Sequence, residues 1–282
     1  MKALARLLLL FAGLALTVIQ PATAAPTPID YLPALKGGYF PIKSKETDLT
    51  YHIYVRLPDG YDANPQRKYP VVYLLDGDSL FPLLAPTHLF LTYDDKLPEA
   101  IVVGIAYGSF DPAINKRDID FSATSNNKDR PARAPQFLKF LATELLPSIE
   151  ERYRADPAQR ILLGQSRAAY FVLYSAFAEP TLFRGRIASN TGMRDGEEKF
   201  LQAGKSDGKG DRTLILSSGT KDRESNRQTA QRLNLMFKER DATLPWTFIP
   251  LDIEDGSHAA DIGRVYRSAM KVLLGSEAKK PD

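Results

Sequence analysis

The chain has 282 residues, a formal net charge of +3, 44% hydrophobic residues and no cysteine. Lack of cysteine excludes disulfides, thiol nucleophiles and cysteine metal sites, and near-balanced charge gives no reason to propose nucleic acid or an anionic membrane as a partner. Only three histidines, His52, His88 and His258, are present, which argues against a histidine-rich metal site, and no cofactor is expected.

The N-terminus reads as a signal peptide over residues 1–24. Lys2 and Arg6 form a short positive region, residues 7–19 are apolar apart from Gly13 and Thr17, and Pro21 ends the run. Ala22-Thr23-Ala24 then supplies a small-x-small cleavage site. The apolar run is shorter than the roughly 20 residues a membrane-spanning helix needs, and no cysteine follows it to carry a lipid. Cleavage after Ala24 removes two basic and no acidic residues, leaving 258 residues of net charge +1. The expected product is soluble, without stable membrane insertion, and periplasmic or secreted. Nothing in the sequence sets its oligomeric state.

Residues 25–48, rich in Pro, Thr and Lys, read as an irregular lead-in to a single domain over 49–276, with a flexible tail at 277–282. Residues 51–57 (YHIYVRL) alternate as a half-buried strand does. Residues 69–75 (YPVVYLL) and 100–106 (AIVVGIA) are continuous apolar runs, the pattern of strands covered on both faces. Residues 107–133 show no period and are dense in Asn, Asp, Arg and Lys, a long connection of the kind that often carries function. Phe137, Phe140, Leu141, Leu145 and Ile149 recur at helical steps, with a kink or break expected at Pro147. Strand 160–164, helix 168–177, strand 213–217, helix 223–239, strand 246–251 and a last helix over 258–274 complete the series. Strands alternating with helices indicate an α/β domain with a mostly parallel central sheet and helices on both faces.

Two segments resemble a nucleophile elbow, G-x-S-x-G. Residues 204–208 (GKSDG) match it fully but lie in a polar stretch with no strand before and no helix after, so Ser206 reads as a loop serine. Residues 164–169 (GQSRAA) match less well, Ala168 standing in for the second glycine, yet they follow the strand Ile161-Leu162-Leu163 and open a helix of small residues. An elbow needs that context, because the strand-to-helix turn lifts the hydroxyl above the sheet. Ser166 is therefore the candidate nucleophile, against the alternative of a serine that merely caps a helix.

A serine hydroxyl needs a base at neutral pH. In strand–elbow–helix hydrolases the chain order is Ser, acid, His, and His258 is the one histidine downstream of Ser166. Asp222, in the segment after strand 213–217, is the candidate acid and Glu224 the reserve; either could instead be an N-terminal helix charge. An oxyanion hole takes two backbone N–H groups, one expected at Arg167, after the nucleophile, and one at Asp78 in Leu75-Asp76-Gly77-Asp78. Arg167, Lys221 and Arg223 flank these positions and either favour an acyl or leaving group with negative charge or merely face solvent.

Taken together, YHIYVRLPDGYD, YPVVYLLDGD, RDIDF, GQSRAA, SSGTKDRE and GSH resemble the esterase family that includes esterase D, the siderophore trilactone esterases and the mycolyltransferases. The resemblance runs from about Thr50 to Leu274 and implies an α/β-hydrolase fold with a Ser–Asp/Glu–His triad at Ser166, Asp222 and His258. It also implies an oxyanion hole at Asp78 and Arg167. One departure is Ser189-Asn190-Thr191-Gly192, which stands where siderophore esterases would carry proline and tryptophan. The expectation is an exported serine carboxylesterase acting on a small-molecule or glycan-linked ester through an acyl-enzyme. An acyltransferase using the same triad and a non-catalytic binding protein on the same fold are the alternatives.

Overall fold

The computed structural model describes residues 32–124, 131–193, 201 and 210–275. The predicted leader, the predicted tail and Ser206 lie outside the described residues. Eight strands form one sheet in the order β1-β2-β4-β3-β5-β6-β7-β8. They are β1 (Gly37–Lys43), β2 (Thr50–Arg56), β3 (Tyr69–Leu74), β4 (Ile101–Ala106), β5 (Ala155–Gln165), β6 (Gly185–Ser189), β7 (Thr213–Gly219) and β8 (Thr247–Ile253). The β1–β2 and β2–β4 pairings are antiparallel; the other five are parallel. The helices are α1 (Gly77–Asp94), α2 (Arg117–Asp120), α3 (Ala134–Phe140), α4 (Leu146–Arg152), α5 (Arg167–Ala178), α6 (Glu224–Glu239) and α7 (Ile262–Leu274).

Two apolar cores explain why the inner strands read as unbroken hydrophobic runs. Along β3, Val71 and Tyr73 enter one core and Val72 and Leu74 the other, because successive side chains leave a strand on opposite faces. The first core packs under Phe137, Phe171 and Phe237 of α3, α5 and α6. The second packs under Leu84 of α1 and Val265 and Met270 of α7. Each large apolar side chain fully buried in this way contributes about 1.5–3 kcal/mol. Helices thus cover both faces of a mostly parallel sheet, the α/β-hydrolase fold.

The structure departs from the sequence reading at definite places. Residues 37–43, read as part of the irregular lead-in, form edge strand β1 against β2. Pro41 in β1 and Pro250 in β8 lie on the two edge strands, where a missing N–H costs least. Helix α1 has no clear signature in the sequence, because Pro82 and Pro86 interrupt it and its apolar residues are not confined to one stripe. Strand β6 (GRIAS) is short and carries the buried Arg186, so it lacks an apolar run. Pro147 does not break its helix. The chain widens Leu141–Leu145 into a π turn, closed by the Leu146 N–H on the Leu141 carbonyl, and Pro147 then opens α4. The last helix starts at Ile262, leaving His258 in the preceding loop.

Strand order also places the site. From β3 the chain crosses to β4 on one side, whereas β5 pairs on the other side of β3. That reversal makes the carboxyl ends of β3 and β5 a switch point, the place where open α/β sheets form a crevice.

Candidate active site

Ser166 occupies the turn between β5 and α5 with φ 57° and ψ −115°, a sparsely populated conformation for a residue with a side chain. Its N–H donates to the Ser189 carbonyl at 2.8 Å, so the turn is tied to β6. Strand and helix approach closely here: a Cβ added to Gly164 would stand 2.5 Å from the Ala168 oxygen. This closeness explains why small residues surround Ser166.

His258 projects from the loop between β8 and α7, back across the ends of β7 and β6. Its Nε2 lies 3.1 Å from Ser166 Oγ, and its Nδ1 lies 2.9 and 3.0 Å from the two Asp222 oxygens. An ionised carboxylate can only accept, so Nδ1 carries the ring proton and Nε2 is left to accept from the serine hydroxyl. The His258 side chain keeps 27% exposure, whereas that of Asp222 has none. Asp222 also accepts from the Arg223 N–H at 2.6 Å and the Asn226 amide at 3.2 Å. Glu224 turns away, to Arg227 and to Gln228 at 2.9 Å.

Across the switch point, Gly77 and Asp78 open α1, beside Ser166 at the N-terminus of α5. Arg167 is the first residue of α5 and Asp78 the second of α1. Their N–H groups belong to the first turns of two helices, which leave donors outside the helical ladder and favour negative charge. The tight turn lies at Asp76, with φ 52°, rather than at Gly77. Gly77 is required for space, since a Cβ there would lie 2.6 Å from the Ile105 nitrogen. The Asp78 carboxylate serves the neighbouring loop instead. It accepts from the N–H groups of Tyr107 and Gly108 at 2.8 and 2.7 Å and so anchors the start of the loop that follows β4.

A cleft of about 270 Å³ opens above these groups, lined by Asp78, Leu80, Phe110, Arg117, Ser166 and His258 among others. Phe110 is 76% exposed on its rim. Among the described residues Arg117 is the guanidinium that lines the cleft, held in a fork on Asp76 at 2.8 and 2.9 Å. Burial disfavours its charge, and Asp76 outweighs that, leaving its pKa above the usual value. The expectation that the Arg167 side chain faces substrate is corrected: it is 8% exposed, donates to Ser122 Oγ at 2.5 Å and stacks over Tyr170. Lys221 is exposed near Asp255 and, like Arg223, does not line the cleft. Among the described residues no cluster of three or more His, Asp or Glu could hold a metal ion, and no helix is long and apolar enough to cross a membrane.

Several contacts that complete the site are not legible in the sequence: Asp76 with Arg117, Asn226 with Asp222, and Gln165 and Asn190 with the His258 carbonyl, to which their side-chain amides donate at 2.5 and 2.8 Å. Most of these contacts join residues far apart along the chain.

An elbow serine, a histidine and a buried aspartate at the carboxyl end of a mostly parallel sheet define the α/β-hydrolase class. Within that class the chain belongs to the family described as "Putative esterase", whose model matches residues 44–247. It is 28% identical over 166 residues to the ferri-bacillibactin esterase BesA of Bacillus subtilis, covering 53% of this chain and 56% of that one. It is 23% identical over 162 residues to the apo-salmochelin esterase of Escherichia coli O6:H1, covering 54% of this chain and 49% of that one. The matches thus span about half the length of these curated relatives. Among solved structures, the BES protein from Bacillus cereus superposes with a TM-score of 0.72 at 20% identity, over 84% of this chain and 94% of that one.

Proposed function

We propose that the chain is an exported serine carboxylesterase that works through an acyl-enzyme on Ser166. The observation that carries this reading is the continuous hydrogen-bonded line from Ser166 Oγ through the His258 ring to the buried Asp222 carboxylate.

In the proposed cycle His258 Nε2 takes the Ser166 proton as Oγ attacks the ester carbonyl carbon. The N–H groups of Arg167 and Asp78 receive the oxyanion, a contribution of about 3–4 kcal/mol for each donor in comparable sites. Asp222 stabilises the imidazolium through Nδ1–H. Nε2 then passes its proton to the alcohol oxygen, the carbon–oxygen bond breaks and the alcohol leaves. Water, deprotonated by His258, attacks the acyl group, and collapse returns Ser166 and a carboxylic acid.

The substrate is proposed to be a small-molecule ester of the bacillibactin or salmochelin type, because two relatives are named as a ferri-bacillibactin esterase and an apo-salmochelin esterase. A cleft that offers an aromatic ring at Phe110 and a guanidinium at Arg117 suits a planar, oxygen-rich group. Export rests on the leader at residues 1–24. N-terminal sequencing of protein recovered from outside the cytoplasm should begin at Ala25; an intact Met1 would refute cleavage.

The mechanism is tested with a fluorophosphonate probe and peptide mass spectrometry. Stoichiometric labelling of Ser166, loss of labelling and turnover in Ser166→Ala, and no change in Ser206→Ala are expected. Labelling elsewhere, or undiminished turnover in Ser166→Ala, overturns the assignment.

A further inference from the structure

We propose that Asn190 is a positioning residue, whose side chain holds His258 in register with Ser166 and Asp222. The inference rests on the acyl-enzyme reading above.

Strand β6 lies between β5, which delivers Ser166, and β7, which leads to Asp222. His258 comes from beyond β8, so its ring must cross the ends of β7 and β6 to meet the serine. Asn190, the residue after β6, sits beneath that crossing and is 5% exposed. Its Oδ1 accepts the Gly219 N–H at 2.8 Å, at the root of the Asp222 loop. Its Nδ2 donates to the carbonyls of Ser257 at 3.1 Å and His258 at 2.8 Å. One amide therefore ties the acid loop to the base loop, and its backbone N–H adds a bond to the Ser217 carbonyl at 2.9 Å. Gln165, beside the nucleophile, donates to the same His258 carbonyl at 2.5 Å.

The chemistry fits asparagine closely. The backbone has φ 47°, a left-handed conformation that asparagine tolerates better than most residues. The position also calls for a side chain with an acceptor on one side and two donors on the other, which a side-chain amide supplies. Proline there could supply neither the side-chain bonds nor the backbone donor to Ser217.

The test uses Asn190→Gly, which removes the amide while suiting the left-handed backbone, so strain cannot account for a loss. Asn190→Asp is the second variant. It keeps the shape and the acceptor for Gly219, but sets carboxylate oxygens against two carbonyls. On a p-nitrophenyl ester, kcat in both is expected to fall roughly 10- to 100-fold with KM little changed, the size of effect seen when a reacting group is misplaced by about 1 Å. The proton on His258 Nδ1, identified as the downfield NMR signal lost in His258→Gln, should weaken or shift in both variants. Gln165→Ala combined with Asn190→Gly should depart from the product of the single effects, because the two amides hold one carbonyl. Wild-type kcat and an unchanged His258 signal in folded variants would overturn the proposal, and if Asn190→Gly fails to fold, Asn190→Asp decides. If wild-type Ser166 takes no label, the acyl-enzyme reading fails, while the His258 signal in the variants still decides whether Asn190 positions the ring.

Discussion

Asp222 and Asp120 are two carboxylates fully withdrawn from solvent, and their partners divide them. Asp120, in α2, accepts from the phenols of Tyr51 and Tyr107 at 2.8 and 3.0 Å and pairs with Arg133 at 2.6 Å. Burial raises its pKa, with Arg133 and the phenols pulling the other way. Four segments of the chain meet on it, so it works as a clamp. Among the described residues Asp222 has no arginine or lysine side chain paired with it. Its neighbours are a backbone N–H, an amide and the His258 ring. A buried carboxylate already matched by a guanidinium has little attraction left for a new positive charge. One facing a neutral imidazole gains strongly when that ring is protonated. The histidines divide in the same way: His88 is buried against the Tyr266 hydroxyl and the Pro98 carbonyl, whereas His258 faces a carboxylate.

Substitution at each group breaks or sharpens this contrast. The largest effect is expected for Asp222→Asn, which keeps the shape but withdraws the charge that holds the ring tautomer. Its kcat should fall by about 10⁴ with the unfolding midpoint nearly unchanged, as checked by steady-state kinetics and denaturation. A loss below tenfold would place Asp222 with Asp120 as a structural group.

Asp120→Asn should do the opposite. Removing one member of a buried pair leaves Arg133 uncompensated, and a loss of about 3 kcal/mol in urea denaturation is expected, with kcat per folded molecule preserved. A catalytic defect without a stability defect would reverse the assignment.

His88 tests the pH axis. Its pKa is lowered to about 4, first by burial and then by the nearby Arg56, against a value near 6.5 in the unfolded chain. Between these values the unfolded state binds the extra proton. His88 therefore leaves stability intact above pH 6.5 and erodes it as pH falls towards 4, by about 2 kcal/mol at pH 5. Urea titrations at several pH values should show that His88→Gln flattens this slope; an unchanged slope would assign it to other groups.

The smallest effect belongs to Glu224→Gln. Because that side chain is engaged by Arg227 and Gln228, turnover should stay within about twofold of wild type, the behaviour of a surface substitution away from the reacting groups. A loss approaching that of Asp222→Asn would make Glu224 the acid after all.

Local pattern and chain order carried much of this in the sequence. The runs in β3, β4, β5 and β7 are legible because strands covered on both faces need apolar residues at every position. Ser166 stands out because an elbow needs a strand before it and small residues after it, and His258 because it is the one histidine that follows. Other features were decided only in three dimensions. β1 exists because β2 offers it an edge, and α1 persists through Pro82 and Pro86 because its side chains fill the core against β4. Which of Asp222 and Glu224 lies against His258 depends on which carboxylate a helix start turns inward, and two residues of spacing do not determine that. The fork of Arg117 on Asp76 and the bridge at Asn190 join residues 41 and 68 positions apart. A periodic pattern records which face of an element is buried, whereas a polar contact between loop ends depends on where the sheet brings those ends, and that is set by the packing of the whole chain.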